Sequence, residues 1–389
     1  MRRVLPILLL LALSACAAAG PRPQTLTAVA FDEQGIGGSL AEGIADPATG
    51  RSVTIGDPAR VASLSKLVTT IGVMRLVEDG RLSLDGDVAP VLGVPLRYPL
   101  TLRMLLSHTS GLRDHDDQYA IPLGEHLGNV LADSLSWDSA HPPGTGYFTY
   151  SNLNFVVVGS LVERVTGERF DRYMRRAVLQ PLKLDACFNW PTCPDAALAR
   201  AIVLSQDGKV IRDDLHGHQP DCPVFVRADA PCDLNAWVPG DNGALFAPQG
   251  GLRISASGLA IIGQLLLGQG AVGGVRLLRP ETVALMVTPA WRFDGSNGDT
   301  EQGLYCAYGL GVQLIGTRGP GCDDDLAGRP FAGHAGDAYG VRSGLWIDPA
   351  RRTGVAYIAT GLPEHPPKGR TSWPAPEERA FRRALALGR

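Results

Sequence analysis

Strand-like segments crowd both ends of the chain and helix-like segments fill its middle, an order that leaves few folds open. From Leu26 to Ile55, apolar stretches alternate with Gly-rich turns, and Tyr308–Gly316, Gly340–Asp348 and Thr353–Thr360 have the same strand character. Between them, Val61–Asp79 reads as a helix: Leu64, Leu67, Val68, Ile71 and Met74 share one face, and Gly80 follows as a stop. Thr101–Leu106 begins a short helix that ends at Gly111, and residues 113–148 mix loop with short helix. Asn152–Val165 is apolar almost all round, the mark of a buried helix. Ser255–Leu267 and Pro280–Val287 look helical, and Pro376–Leu387 closes the chain as an amphipathic helix. One sheet drawn from distant chain ends, with a helical lobe inserted, satisfies this order. The expected class is α/β (α+β), an antiparallel sheet flanked by helices. Its sheet lobe spans about 26–95 and 245–389, and its mainly helical lobe about 96–244.

Composition removes other classes. The 389 residues are 45% hydrophobic and 19% charged with a net charge of −3, too apolar and too neutral for a disordered chain. The 47 Gly and 29 Pro follow no collagen-like period. With 36 Lys+Arg against 39 Asp+Glu, the basic excess of a nucleic-acid binder is missing.

The N-terminus predicts export. Arg2 and Arg3 precede an apolar run from Val4 to Leu13, too short for the roughly 20 residues of a membrane span and typical of a signal peptide. Leu13-Ser14-Ala15-Cys16 resembles the bacterial lipoprotein cleavage box, which implies a signal of residues 1–15 and lipidation of Cys16. It also implies a tether over 16–25 at the periplasmic face of a membrane, with Ala17 favouring the outer membrane. Six further cysteines form close pairs, 187/193, 222/232 and 306/322, and an oxidising compartment makes short disulfide closures the simplest expectation. No Cys-x-x-Cys spacing suggests zinc, and His216-Gly-His218 reads as a solvated loop, so no metal or cofactor is expected.

Three short motifs carry chemistry. Ser63-Leu64-Ser65-Lys66 opens the first long helix, and residues three apart share a helix face, so the Ser63 hydroxyl and Lys66 amine can meet. To act as a base, Lys66 must lose a proton whose ordinary pKa is about 10.4, which calls for an apolar surround. Tyr150-Ser151-Asn152 precedes the buried helix, where Ser and Asn are also good caps. His334-Ala335-Gly336 lies in a Gly-rich, strand-like stretch.

In this order the three motifs resemble the serine β-lactamase and penicillin-binding-protein family, in its class C and DD-peptidase-related branch. Further segments match: Arg81–Asp85, Leu105–Leu112 (Leu-Leu-Ser-His-Thr-Ser-Gly-Leu), Pro248–Leu252, Arg279–Val283 and Tyr308–Gly311. The resemblance implies the β-lactamase/transpeptidase-like fold and a mechanism through an acyl-enzyme on Ser63. Lys66, Tyr150 or both would take the serine proton, Asn152 would hold Lys66 and the substrate amide, and His334 and Gly336 would line the substrate. The backbone N–H groups of Ser63 and Asp337 would form the oxyanion hole, and His108 would be scaffold.

Two departures bear on substrate. His334 stands where lactamases of this branch carry Lys, which lowers the expectation of efficient β-lactam turnover. Asp337 stands where a small neutral residue is usual, either disfavouring anionic substrates or pointing into solvent. The expectation is a monomeric serine hydrolase acting on a D-amino-acid peptide, peptidoglycan-derived peptides included, or on a small ester. The competing readings are a true class C-like β-lactamase and a non-catalytic envelope-binding lipoprotein that kept the fold. An α/β-hydrolase is excluded because no serine sits in Gly-x-Ser-x-Gly.

Overall fold

A computed structural model describes residues 24–211 and 218–388, so the signal segment, Cys16 and His216 lie outside the described residues. Among these residues, nine strands form one antiparallel sheet. In chain order they are β1 (Thr25–Asp32), β2 (Ile36–Asp46), β3 (Arg51–Ser52), β4 (Trp291–Arg292), β5 (Ala307–Tyr308), β6 (Gln313–Ile315), β7 (Phe331–Ala338), β8 (Val341–Asp348) and β9 (Thr353–Thr360). Their spatial order is β4-β5-β6-β7-β8-β9-β1-β2-β3. The chain ends meet where β1 pairs with β9, from Thr25 opposite Thr360 to Asp32 opposite Thr353.

Both faces of the sheet are covered, which explains why β1 and β9 read as nearly continuous apolar runs. Along β1, Val29 and Phe31 join the larger core while Leu26, Ala28 and Ala30 join a second core. The larger core is shared with helices α1 (Ser65–Glu78), α2 (Leu153–Thr166) and α3 (Ala256–Leu267). The second core lies under α4 (Ala375–Ala386), whose Phe381 and Ala384 are fully buried. A large apolar side chain such as Phe381 contributes about 1.5–3 kcal/mol when buried. Leu102 and Val156 of the helical region sit in the same core as Val29 and Leu345 of the sheet.

Two expected elements are revised. Tyr308–Gly316 is not one strand but β5 and β6 joined by a turn, in which Gly309 N–H donates to the Val312 carbonyl at 2.8 Å. The reason lies at Gly311, which has φ +62° and where a Cβ would stand 1.9 Å from Thr70 Oγ1 of α1. The first helix also begins later than expected. Ala62–Leu64 is a 3₁₀ turn and α1 starts at Ser65. The disulfides Cys187–Cys193, Cys222–Cys232 and Cys306–Cys322 match the three expected pairs.

Candidate active site

The 3₁₀ turn places Ser63 at the junction of sheet and helix. Ala62 holds φ +48°, a left-handed conformation that non-glycine residues adopt only when their surroundings enforce it. The enforcement is visible: Val61 N–H donates to Leu252 O at 3.0 Å, Ser65 Oγ donates to Ala62 O at 2.6 Å, and Ser343 Oγ of β8 donates to Val61 O at 2.8 Å. A Cβ on Gly336 would come 2.0 Å from that Val61 carbonyl, so only glycine lets β7 lie this close to the turn.

Lys66, in the first turn of α1, is fully buried. Its Nζ donates to Ser63 Oγ at 3.0 Å, Asn152 Oδ1 at 2.8 Å and the Gln249 carbonyl at 3.1 Å. Three acceptors satisfy an ammonium, yet burial drives its pKa from 10.5 down to about 7, opposed by the negative charge of Asp114. This is the pKa that a general base needs at neutral pH.

Asp114 was not singled out in the sequence. It accepts from Ser151 Oγ at 2.8 Å, Asn152 N at 2.9 Å, Asn152 Nδ2 at 2.9 Å and Leu153 N at 3.0 Å. Neither Ser151 nor Asn152 therefore has to cap α2. Asp114 does so from 38 residues upstream, and its negative charge complements the helix N-terminus. Because Asn152 Nδ2 is committed to Asp114, Oδ1 is left to face Lys66.

Tyr150 is held from both sides by His108. The His108 carbonyl accepts from Thr149 N at 2.9 Å, and its Nδ1 accepts from Ser151 N at 3.1 Å and lies 3.0 Å from Asn154 Nδ2. A backbone N–H can only donate, so Nδ1 is the acceptor and His108 is neutral. Burial, together with Lys66 and His334, keeps its pKa well below the ordinary value. The His108 ring stacks on Tyr150 with centroids 4.4 Å apart, and Tyr305 stacks on Tyr150 at 5.0 Å. Among the described residues the Tyr150 hydroxyl is buried, with the Ser63 hydroxyl as its polar neighbour. Burial raises the phenol well above its ordinary value, and the neighbouring Ser63 hydroxyl opposes the rise. Lys66 Nζ lies over the Tyr150 ring, 4.8 Å from its centroid.

His334 lies buried, and Asp337 takes the second of its two expected placements, its side chain 66% exposed to solvent. His334 is 1% exposed, its Nδ1 bonds the Ala335 carbonyl at 2.5 Å, and its Nε2 bonds the Tyr308 hydroxyl at 2.7 Å. The carbonyl requires a proton on Nδ1, so Nε2 accepts from Tyr308. Burial and the charge of Lys66 push its pKa down to about 3, and the ring is neutral at pH 7. It therefore supplies no cation for a substrate carboxylate. Asp337 stands directly opposite Arg342 across β7 and β8 and pairs with it. Its side chain leaves the strand on the same face as Ala335, which packs against the core under α4, so the carboxylate is turned from the site.

The structure thus brings Ser63, Lys66 and Asn152 into one hydrogen-bonded cluster, with Tyr150 over Lys66 and Gly336 packed against the Ser63 turn. The Beta-lactamase family model matches residues 15–374. The lovastatin esterase of Penicillium rubens is 32% identical over 177 residues, covering 38% of this chain and 44% of that protein. The acyltransferase mokF of Monascus pilosus is 30% identical over 265 residues, covering 60% of this chain and 57% of that protein. The chain spans about half the length of these curated relatives. The class C β-lactamase structure from Rhodobacter sphaeroides superposes with a TM-score of 0.65 at 19% identity over 94% of each chain, a likeness of fold. Motifs, fold and family match agree: the chain belongs to the Beta-lactamase family, the serine β-lactamase and penicillin-binding-protein group.

Proposed function

We propose that the chain is a serine hydrolase that forms an acyl-enzyme on Ser63, with an ester carbonyl as the preferred target. The observation that supports it most is the buried Lys66 amine, 3.0 Å from Ser63 Oγ and with its pKa near 7. Neutral Lys66 takes the Ser63 proton as Oγ bonds to the substrate carbonyl carbon. The oxyanion is received by the backbone N–H groups of Ser63 and Asp337, and the C–O bond to the alcohol breaks as that oxygen is protonated. Tyr150, held as a phenol, is suited to relay that proton from Lys66 and to orient the water that later releases the acid. Lys66 is thus the base in this reading, and Tyr150 the donor.

Ester chemistry ranks above β-lactam or D-alanyl peptide cleavage because His334 is buried and neutral where a carboxylate anchor would stand. The named activities of the two curated relatives, an esterase and an acyltransferase, agree with acyl-ester chemistry. A kinetic panel of a p-nitrophenyl ester, a D-Ala-D-Ala peptide and nitrocefin, with Ser63→Ala as blank, tests the reading. Ester turnover that depends on Ser63 and exceeds the other two supports it. Faster nitrocefin hydrolysis, or equal rates with Ser63→Ala, overturns it.

For location, we propose export and lipidation at Cys16. Three disulfides suit an oxidising compartment. Metabolic labelling with a fatty acid, lost in Cys16→Ala, is the expected result, and a soluble, unlabelled protein would refute the anchor.

A further inference from the structure

Away from the catalytic cluster, a groove of about 510 Å³ opens at the end of the sheet where β6 stops and β7 begins. Phe331 of β7 lines it, whereas Gly336 of the same strand packs on the Ser63 turn, roughly 17 Å further along. Ile315 stands opposite Phe331 and Leu314 opposite Ala332, and all four line the groove. Ile315 and Phe331 belong to the core under α4, while Leu314 and Ala332 belong to the larger core. The groove therefore wraps the end of the sheet and draws apolar walls from both faces, with Val287 and Pro289 extending them.

Three guanidiniums stand on this apolar lining, those of Arg292, Arg318 and Arg329, and no carboxylate lines it. Arg329 is the fixed one. Its Nε donates to Asp348 Oδ2 at 2.8 Å, it lies over the Phe331 ring at 5.0 Å, and its side chain is only 27% exposed. Its two Nη groups keep their donors free among the described residues. Arg318 Nη2 donates to the Gly328 carbonyl at 3.3 Å, and among the described residues neither Arg318 nor Arg292 has an ion pair. The neighbouring acids do not cancel this charge. Asp348 is shared between Arg329 and Arg351, and Asp324 and Asp325 accept backbone N–H groups of the loop between β6 and β7. A guanidinium fork matches the plane of a carboxylate, and apolar walls favour a hydrocarbon body. The volume falls within the roughly 300–1,000 Å³ of small-molecule sites.

We infer that this groove is a second binding site, separate from Ser63, for apolar carboxylic acids in their anionic form, of the medium-chain fatty-acid type. The carboxylate sits among Arg292, Arg318 and Arg329, and the hydrocarbon chain lies along Leu314, Phe331 and Val287. Titration calorimetry on the full chain compares octanoate with octanamide, its neutral counterpart, and with hexanoate. Octanoate is expected to bind at least tenfold more tightly than octanamide. It should also exceed hexanoate, by up to about fourfold for each added methylene. Arg292→Gln combined with Arg318→Gln, both exposed positions, should weaken octanoate at least tenfold. Pro289→Asp, which sets a carboxylate on the exposed rim and leaves every arginine in place, should weaken it as well. Turnover of p-nitrophenyl acetate by these variants should stay within twofold of wild type. Equal binding of octanoate and octanamide, or a Kd untouched by both variants, overturns the second site. So does octanoate that competes with the ester at a Kd the variants leave unchanged, because the acid then occupies the Ser63 site. Ser63 takes no part in the groove, so failure of the esterase reading would leave these binding ratios as they are.

Discussion

Asp114 and Asn152 are joined twice, through the backbone N–H and the side-chain Nδ2 of Asn152, both at 2.9 Å. This pairing converts an asparagine that could have capped its own helix into a fixed acceptor for Lys66. It also sets a charge near enough to Lys66 to oppose the fall of its pKa. Asp114→Ala is expected to lower kcat/KM about 100-fold, the order of loss when a catalytic group is misplaced by about 1 Å. The acid limb of the pH profile should move to lower pH, because the group that raises the Lys66 pKa is gone. Stability should drop by about 1–3 kcal/mol as the first turn of α2 loses its acceptor. A pH–rate series with a urea titration reads all three.

Lys66 sets the pH dependence. Its folded pKa of about 7 lies below the ordinary 10.5, so kcat/KM should rise with pH through a midpoint near 7. Tyr150, raised above 10, stays protonated across that range and contributes no limb there. Between pH 7 and 10.5 the unfolded chain binds the extra proton, so the stability contributed by Lys66 increases with pH over that window. Lys66→Met should therefore melt at a higher temperature than wild type at pH 7, with the gap closing towards pH 10.5. Activity should fall by about 10²–10⁴-fold with the loss of the base.

His108 acts on Tyr150 through backbone clamps and ring stacking. Its φ of +57° restricts replacements, and asparagine tolerates that conformation while offering an oxygen near the position of Nδ1. His108→Asn should retain the Ser151 bond, and its kcat should stay within about tenfold of wild type. His108→Ala, which loses acceptor and stack together, should lose about tenfold more, chiefly in kcat. An unchanged kcat in His108→Ala would show that the clamp has no bearing on Tyr150.

Gly336 and Asp337 are adjacent yet should respond oppositely. Gly336→Ala drives a methyl into the Val61 carbonyl and separates β7 from the Ser63 turn, so activity should drop at least 100-fold. Asp337→Ala keeps its backbone N–H and removes a carboxylate that faces Arg342, so kcat should remain within about threefold of wild type. Parallel steady-state kinetics of the two variants checks the contrast.

Much of the architecture was legible because it follows from periodicity. The apolar stripe of α1, the all-round burial of α2 and the terminal strands each declare themselves within a dozen residues, and close cysteine spacing indicated the three bridges. Ser63, Lys66 and Tyr150 were readable as motifs, because each sits at a helix start where local rules apply. Asp114 was not. It lies in a loop with no repeating pattern, and its role exists only once residues 38 apart meet at the N-terminus of α2. The neutrality of His334 was equally hidden, since it depends first on burial and then on the charge of Lys66, both set by tertiary packing. The β5–β6 turn followed from packing against Thr70, not from the apolar run itself.

The most direct test of the account is intact-mass and peptide mapping of the protein quenched during turnover of a p-nitrophenyl ester. The prediction is a stoichiometric burst of p-nitrophenol and an acyl adduct on Ser63, absent in Ser63→Ala and strongly slowed in Lys66→Met. An unmodified Ser63 with undiminished turnover, or an adduct on another residue, would contradict it.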